Sequence, residues 1–306
     1  LLDNRPLAEL LTRMVPLERI PMLIRQGHLQ ALAVTASSYS SGEHITFFEG
    51  DKRLMPWMRS QRRGLRDKIT HNHLLASSAI PFVFPAMALH LEGKLDYFGD
   101  GSMRQSAPIA PAIHLGAQRI CVIGASRMHE PKSQGTLPSE GNYPTLAQIA
   151  GHALANIFLD ALSVDIERIK RINQTLRLVP PELRNASNLR QVELLLISPS
   201  EHIDGIAARH VDELPSAVRS VLGGVGVSSQ AADFKGAALA SYLLFEQGFT
   251  RELMALGRND ALRQRDEICQ FFGWTHPEAS PDQASSLALN APRHLPERRR
   301  DPLRLR

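Results

Sequence analysis

The stretch YFGDGSMRQSAPIAPAI, Tyr97–Ile113, places a carboxylate, Asp100, between an apolar strand and a run of small and apolar residues. No opposite charge stands near it before Arg104. Asp-Gly is a common turn dipeptide, because glycine tolerates positive φ and aspartate bonds to nearby backbone. The dipeptide alone therefore reads as a turn. Working outward, the preceding MALHLEGKLDYFGD reads as a hairpin turning near Glu92-Gly93. The following IAPAIHLGA reads as a helix with Gly116 past its end, and RICVIG as a strand. Strand, turn, helix, strand is the rhythm of a parallel sheet covered by helices.

The rest of the 306-residue chain extends this α/β pattern. Short helices broken by Pro16 and Pro21 end at Gly27, and LQALAVTASSY with HITFFEG forms a strand pair. Thr70 is placed to cap a helix over HNHLLASSAI that Pro81 stops. After a long loop, SRMHEPKSQGTLPSEGNYP, a long amphipathic helix starts at Thr145, with Leu146, Ile149, Ala153, Ile157, Leu162, Ile166 and Ile169 near helical spacing. QVELLLISPS reads as a buried strand, and the remainder to about Trp274 as helical. No internal repeat and no clean linker interrupt residues 1–276, which read as one α/β domain; residues 277–306 read as a disordered, Arg-rich tail.

Composition narrows the function classes. Hydrophobic residues make up 43% and charged residues 22%, as in soluble globular proteins. The formal charge of +4 sits entirely in APRHLPERRRDPLRLR, where six arginines face Glu297 and Asp301. A basic tail is weak support for a nucleic-acid-binding domain, and none is expected. Cys121 and Cys269 make neither a disulfide framework nor a zinc site. No apolar run approaches the roughly 18 residues of a spanning helix, and no signal peptide is visible. A cytoplasmic or peripheral-membrane location is the expectation.

Several motifs dissolve under physical scrutiny. His71 and His73 of the HNH triplet point to different faces of a helix, so they cannot ligate one metal ion. GGVGVSS, Gly223 to Ser229, lacks a P-loop lysine and dinucleotide spacing. No cofactor or metal is expected. The run RSQRRGLRDK, Arg59 to Lys68, reads as a solvated basic face with some attraction for anionic lipid headgroups. No two glycines stand four apart, so no G-x-S-x-G elbow exists in the chain; GASRM, Gly124 to Met128, is the nearest approach.

Two stretches in combination carry a family resemblance. ASSAIPFVFPAM, Ala76 to Met87, resembles a segment of the patatin-like phospholipases, and DGSMRQSAPIAPAIHLGAQRICVIG, Asp100 to Gly124, resembles their D-G-[GA] motif with the helix and strand after it. Order and separation match as well, and the likeness to the bacterial branch runs through most of the chain before the tail. The resemblance implies a three-layer fold with a mainly parallel central sheet covered by helices. It implies a serine lipid acyl hydrolase working through a Ser–Asp dyad on lipid esters, with Asp100 as general base and proton acceptor. Gly101 and Ser102 complete the motif; Ser102 stands where the family prefers Gly or Ala. The family's Gly-rich oxyanion loop and elbow serine lie upstream of these motifs. The chain therefore reads as the C-terminal portion of such an enzyme, truncated at its N-terminal side, lacking Met at position 1 and inactive alone. The alternative is a non-catalytic module that binds lipid or a partner. Headgroup, acyl length and oligomeric state are not written in the sequence.

Overall fold

A computed structural model describes residues 2–103, 105–125, 146–184, 189–224 and 240–274. The expected loop at 126–144, the Gly223–Ser229 glycine cluster beyond Gly224, and the tail boundary near Pro277 lie outside the described residues. The protein is a mixed α/β structure. Its N-terminal helices are α1 (Arg5–Met14), a 3-10 turn (Leu17–Arg19) and α2 (Ile20–Arg25). Strands β1 (Ala31–Ser38), β2 (His44–Gly50), β3 (Trp57–Arg59) and β4 (Arg62–Arg66) follow. Helix α3 (His71–Ser77) precedes β5 (Met87–Leu91) and β6 (Lys94–Asp100). Then come α4 (Ala110–His114), β7 (Arg119–Ile123), α5 (Leu146–Leu178), α6 (Pro181–Arg184) and β8 (Glu193–Ile197). Helices α7 (Ile203–His210), α8 (Ser216–Gly224) and α9 (Gln247–Arg263) close the first compact unit, Leu1–Arg263.

The strands form two sheets. One has the order β3-β4-β2-β1-β6-β5, and the other is the pair β7-β8. A mainly parallel central sheet was the expectation, and here the structure differs. In the six-stranded sheet only β2 and β4 run parallel; the other four pairings are antiparallel. The connections dictate this. Glu92 and Gly93 both take positive φ, 51° and 81°, so a two-residue primed turn returns β5 directly into β6. Links this short cannot carry a strand across to a parallel neighbour. The parallel crossover expected for β6, α4 and β7 is instead formed by β7, α5 and β8, whose strands pair in parallel from Arg119–Glu193 to Ile123–Ile197.

Each layer has its own core. Ala36, Ile45, Phe47, Ile69, Ala76 and Phe98 are buried between the large sheet and the helices α1 to α3. Ile166 and Ile169 of α5, two members of the stripe read from the sequence, pack with Ile109, Ile120 and Val192 around the small sheet. The buried Asp165 carboxylate on the same helix accepts the Ile109 N–H at 3.0 Å and so fixes the start of α4. Ile206, Leu244, Phe249 and their neighbours form a third cluster among the late helices. The second unit begins at Gln264; its described part is α10 (Arg265–Phe272), ended by Gly273 in a left-handed conformation. Among the described residues no helix is long and apolar enough to cross a membrane.

The basic run read as a solvated face is a strand pair. Alternation inside RRGLR is masked by its arginines, yet β4 pairs with both β2 and β3. A Cβ at Gly64 would collide with the Trp57 ring, so glycine there lets the indole lie flat on the sheet.

Candidate functional site

Asp100 is the last residue of β6, and the chain turns immediately after it. The strand alternates, so Asp96 and Phe98 are buried while Lys94, Leu95 and Tyr97 are not. At its end the turn is pinned from several sides. The Asp100 N–H donates to Ala79 O at 3.0 Å and the Gly101 N–H to Ser77 O at 3.2 Å, tying the turn to the end of α3. The Ser37 hydroxyl donates to Met103 O at 2.9 Å. His44 Nε2 lies 2.5 Å from Gly101 O; a carbonyl only accepts, so Nε2 carries the hydrogen.

Gly101 is required for closeness rather than for a left-handed backbone. Its φ is not positive, but a Cβ there would run into the Thr35 carbonyl. The Asp-Gly pair is thus a contact between β1 and the β6 turn, and not a generic loop. The Asp100 carboxylate accepts the Ser102 N–H at 2.7 Å, and the Ser102 hydroxyl bonds to it as well. Among the described residues no cation forms an ion pair with it; Arg104 lies outside them. Burial raises the Asp100 pKa, and the two bonds from Ser102 offset part of that rise.

The turn opens onto a strand edge that is unpaired among the described residues. β1 pairs with β2 from Ala31 to Ser37, but with β6 only from Ala36 to Ser38. Asp51 N–H bonds Gln30 O, and Ser38 N–H bonds Glu43 O, so even-numbered residues of β1 turn their backbone groups to β2. The backbone groups of Ala31 and Ala33 therefore face the open side. Two cavities flank this edge. One, of about 510 Å³, is lined by Leu32, Val34, Leu74, Ser77, Gly101 and Ser102. The other, of about 430 Å³, is lined by Ala31, Thr35, Pro108, Pro111 and Leu115 among others.

Long-range folding adds groups that the sequence reading missed. Burial, the Asp204 charge and the Asp100 charge together push the Tyr242 phenol up to about 12. Asp204, on the first turn of α7, accepts the Ser241 hydroxyl at 3.2 Å, and burial raises its own pKa. Tyr39 is also raised, by burial and by Asp100. A neutral phenol thus stands in the field of two carboxylates, the buried Asp100 and the partly buried Asp204. No spacing in the sequence announces this, because Asp100, Asp204 and Tyr242 come from three distant segments.

The remaining motif residues have structural uses. His71 Nε2 bonds Val15 O at 2.9 Å, and His73 completes the capping box of α3 with Thr70. Among the described residues no group of three or more His, Cys, Asp or Glu side chains is placed to hold a metal ion. No family model, no curated protein and no solved structure matches this chain.

Proposed function

We propose that this chain is the base-bearing part of a patatin-like serine acyl hydrolase acting on lipid esters. The observation that carries the reading is Asp100 itself: a buried carboxylate with a raised pKa, held at a strand end, next to Gly101 and Ser102, which line a groove along a strand edge unpaired among the described residues. A carboxylate so placed is positioned to accept a proton. Asp96, only four residues earlier, is not, because serine hydroxyls occupy its oxygens.

In the proposed reaction a serine Oγ on a segment entering beside β1 attacks the ester carbonyl. Its proton passes to Asp100, and the tetrahedral oxyanion is held by backbone N–H groups of a Gly-rich loop on that same segment. Collapse expels the alcohol, which takes the proton back. Water then repeats the sequence on the acyl-serine, again losing its proton to Asp100. A strand inserted beside β1 would also enlarge the sheet toward the three-layer arrangement of the family. Tyr242 and Tyr39, as neutral phenols, leave Asp100 ionisable without competing for its proton.

The test extends the chain upstream along its own reading frame. An in-frame Gly-rich loop and G-x-S-x-G elbow are expected, with esterase activity that Asp100→Asn lowers by about 10² to 10⁴ while thermal unfolding is retained. The chain as given is expected to take up no fluorophosphonate label. Unchanged turnover in Asp100→Asn, or stoichiometric labelling of the chain alone, would overturn the reading.

A further inference from the structure

The basic run from Arg59 to Lys68 does not behave as one patch. The sheet sorts it. Arg63 points to one face and is spent on Glu43 at 3.6 Å and Glu92 at 2.5 Å. Arg66 lies over the Phe48 ring and donates to the carbonyls of Gly50, Asp51 and Leu54. Arg59 and Arg62 sit opposite each other in the β3–β4 register and form no ion pair among the described residues.

These two arginines converge with the end of α4. His44, Thr46, Trp57, Arg59, Arg62 and His114 line one narrow cleft between that helix and the sheet. Trp57 is stacked between Phe48, at 5.5 Å, and His114, at 4.8 Å, so the imidazole is fixed in place. Arg190 donates to the carbonyls of Ile113 and Ala117, beside His114. The nearby carboxylates are committed elsewhere. Glu43 and Glu92 hold Arg63, Glu49 accepts the Ile69 N–H, Asp51 holds Arg53, and Asp67 faces His73. Among the described residues the cleft therefore concentrates cationic donors with no anion to neutralise them. His114 registers the imbalance: burial lowers its pKa, and Arg59, Arg62 and Arg190 lower it further.

We infer that the mouth of this cleft is a binding site for a phosphate-class oxyanion, held by the Arg59 and Arg62 guanidinium groups with His114 beneath them. Guanidinium forks match the geometry of a tetrahedral oxyanion better than that of a spherical anion. The interior encloses only about 10 Å³, the room of a single water, so the anion lies at the rim where Arg59 is exposed. A bound dianion reverses the field at His114, which then takes up a proton and becomes a third charged donor. The site is independent of the hydrolase reading, since it uses neither Asp100 nor the β1 edge. Free phosphate and a lipid phosphomonoester headgroup share this chemistry.

The test uses the purified chain carrying Trp274→Phe, which leaves Trp57 as its one indole. Inorganic phosphate is titrated against chloride at constant ionic strength and neutral pH. Saturable quenching of Trp57 is expected, because a protonated imidazole stacked on an indole quenches it, together with a higher melting temperature. Arg59→Gln with Arg62→Gln is expected to weaken phosphate binding roughly tenfold or more, while Arg53→Gln leaves it unchanged. If the glutamine pair does not fold, Arg59→Lys with Arg62→Lys keeps the charge and loses the fork, and weakened binding is again expected. In a second arm, phosphatidylcholine vesicles carry either phosphatidic acid or phosphatidylglycerol. A preference for phosphatidic acid that the double variant abolishes assigns the site to lipid headgroups. Phosphate binding without that preference assigns it to free phosphate. No saturable response to phosphate, or an equal response in the Arg59/Arg62 variants, overturns the inference.

Discussion

Strand β6 carries two aspartates with the same 8% exposure and opposite electrostatics. Asp96 accepts the Ser38 hydroxyl at 2.7 Å, the Ser40 hydroxyl and the Tyr97 N–H at 2.7 Å. Burial works against its charge, but these three bonds together hold its pKa below the usual carboxylate value. Among the described residues Asp100 has only Ser102, and burial prevails. Depth alone does not distinguish a structural carboxylate from a reactive one. What distinguishes them is how many donors have already claimed the oxygens. Asp96 is closed and organises the Tyr39–Glu43 turn; Asp100, among the described residues, has donors from Ser102 alone and stands beside the residues that line a groove.

The sharpest way to break this contrast is Asp96→Ala. Three donors lose their acceptor in a buried place, and a loss of roughly 3 kcal/mol is expected, read by urea denaturation. A loss below ~1 kcal/mol would mean that water replaces the carboxylate and that Asp96 is not closed. Next in size is Gly101→Ala. Its Cβ meets the Thr35 backbone, which cannot swing aside, and overpacking of about 2 kcal/mol is expected. Gly99→Ala meets only the half-exposed Tyr39 ring, which can move, so it is expected to be the milder of the pair. Equal melting temperatures for the two alanine variants would contradict the close packing of the Asp100 turn on β1.

The smallest expected effect is on pH dependence. Asp96, with a lowered folded pKa, contributes stability above its unfolded value of about 3.9, and that contribution is lost as pH falls through the folded value. Asp100 has the opposite sign: its contribution is present below about 3.9 and is lost as pH rises through its raised folded value. Asp100→Asn is therefore expected to gain stability relative to the native chain as pH rises through that window. Melting curves from acid to neutral pH check this. A constant difference between the two proteins would show that Asp100 titrates as a solvated carboxylate.

What the sequence made legible followed from local rules. The β5–β6 hairpin was readable because Glu92-Gly93 is turn chemistry between alternating strands, and α5 because its apolar stripe keeps helical spacing. The β3–β4 pair was not, because arginines occupy both faces and only the folded structure shows that Arg63 pairs with carboxylates and Arg66 with carbonyls of the β2–β3 connection, while Arg59 and Arg62 form no ion pair among the described residues. Sheet direction was misjudged because β6, α4 and β7 follow one another in a parallel-looking rhythm but end in different sheets. At the candidate site the position of Asp100 at a strand end could be read from KLDYFGDG. The fields of Asp204 and Asp100 at Tyr242 could not, since Asp100 lies more than a hundred residues from both.

The open side of β1 has a consequence for handling the protein. Its exposed stretch, ALAVT, carries no lysine, proline or charge, which are the usual guards of a strand border. Two copies meeting there can satisfy each other's backbone groups. In concentrated solution the isolated chain thus carries a built-in site for edge-to-edge pairing with a second copy. A single lysine at Ala33, pointing away from the core cluster formed by Val34 and Ala36, is the economical way to keep it soluble.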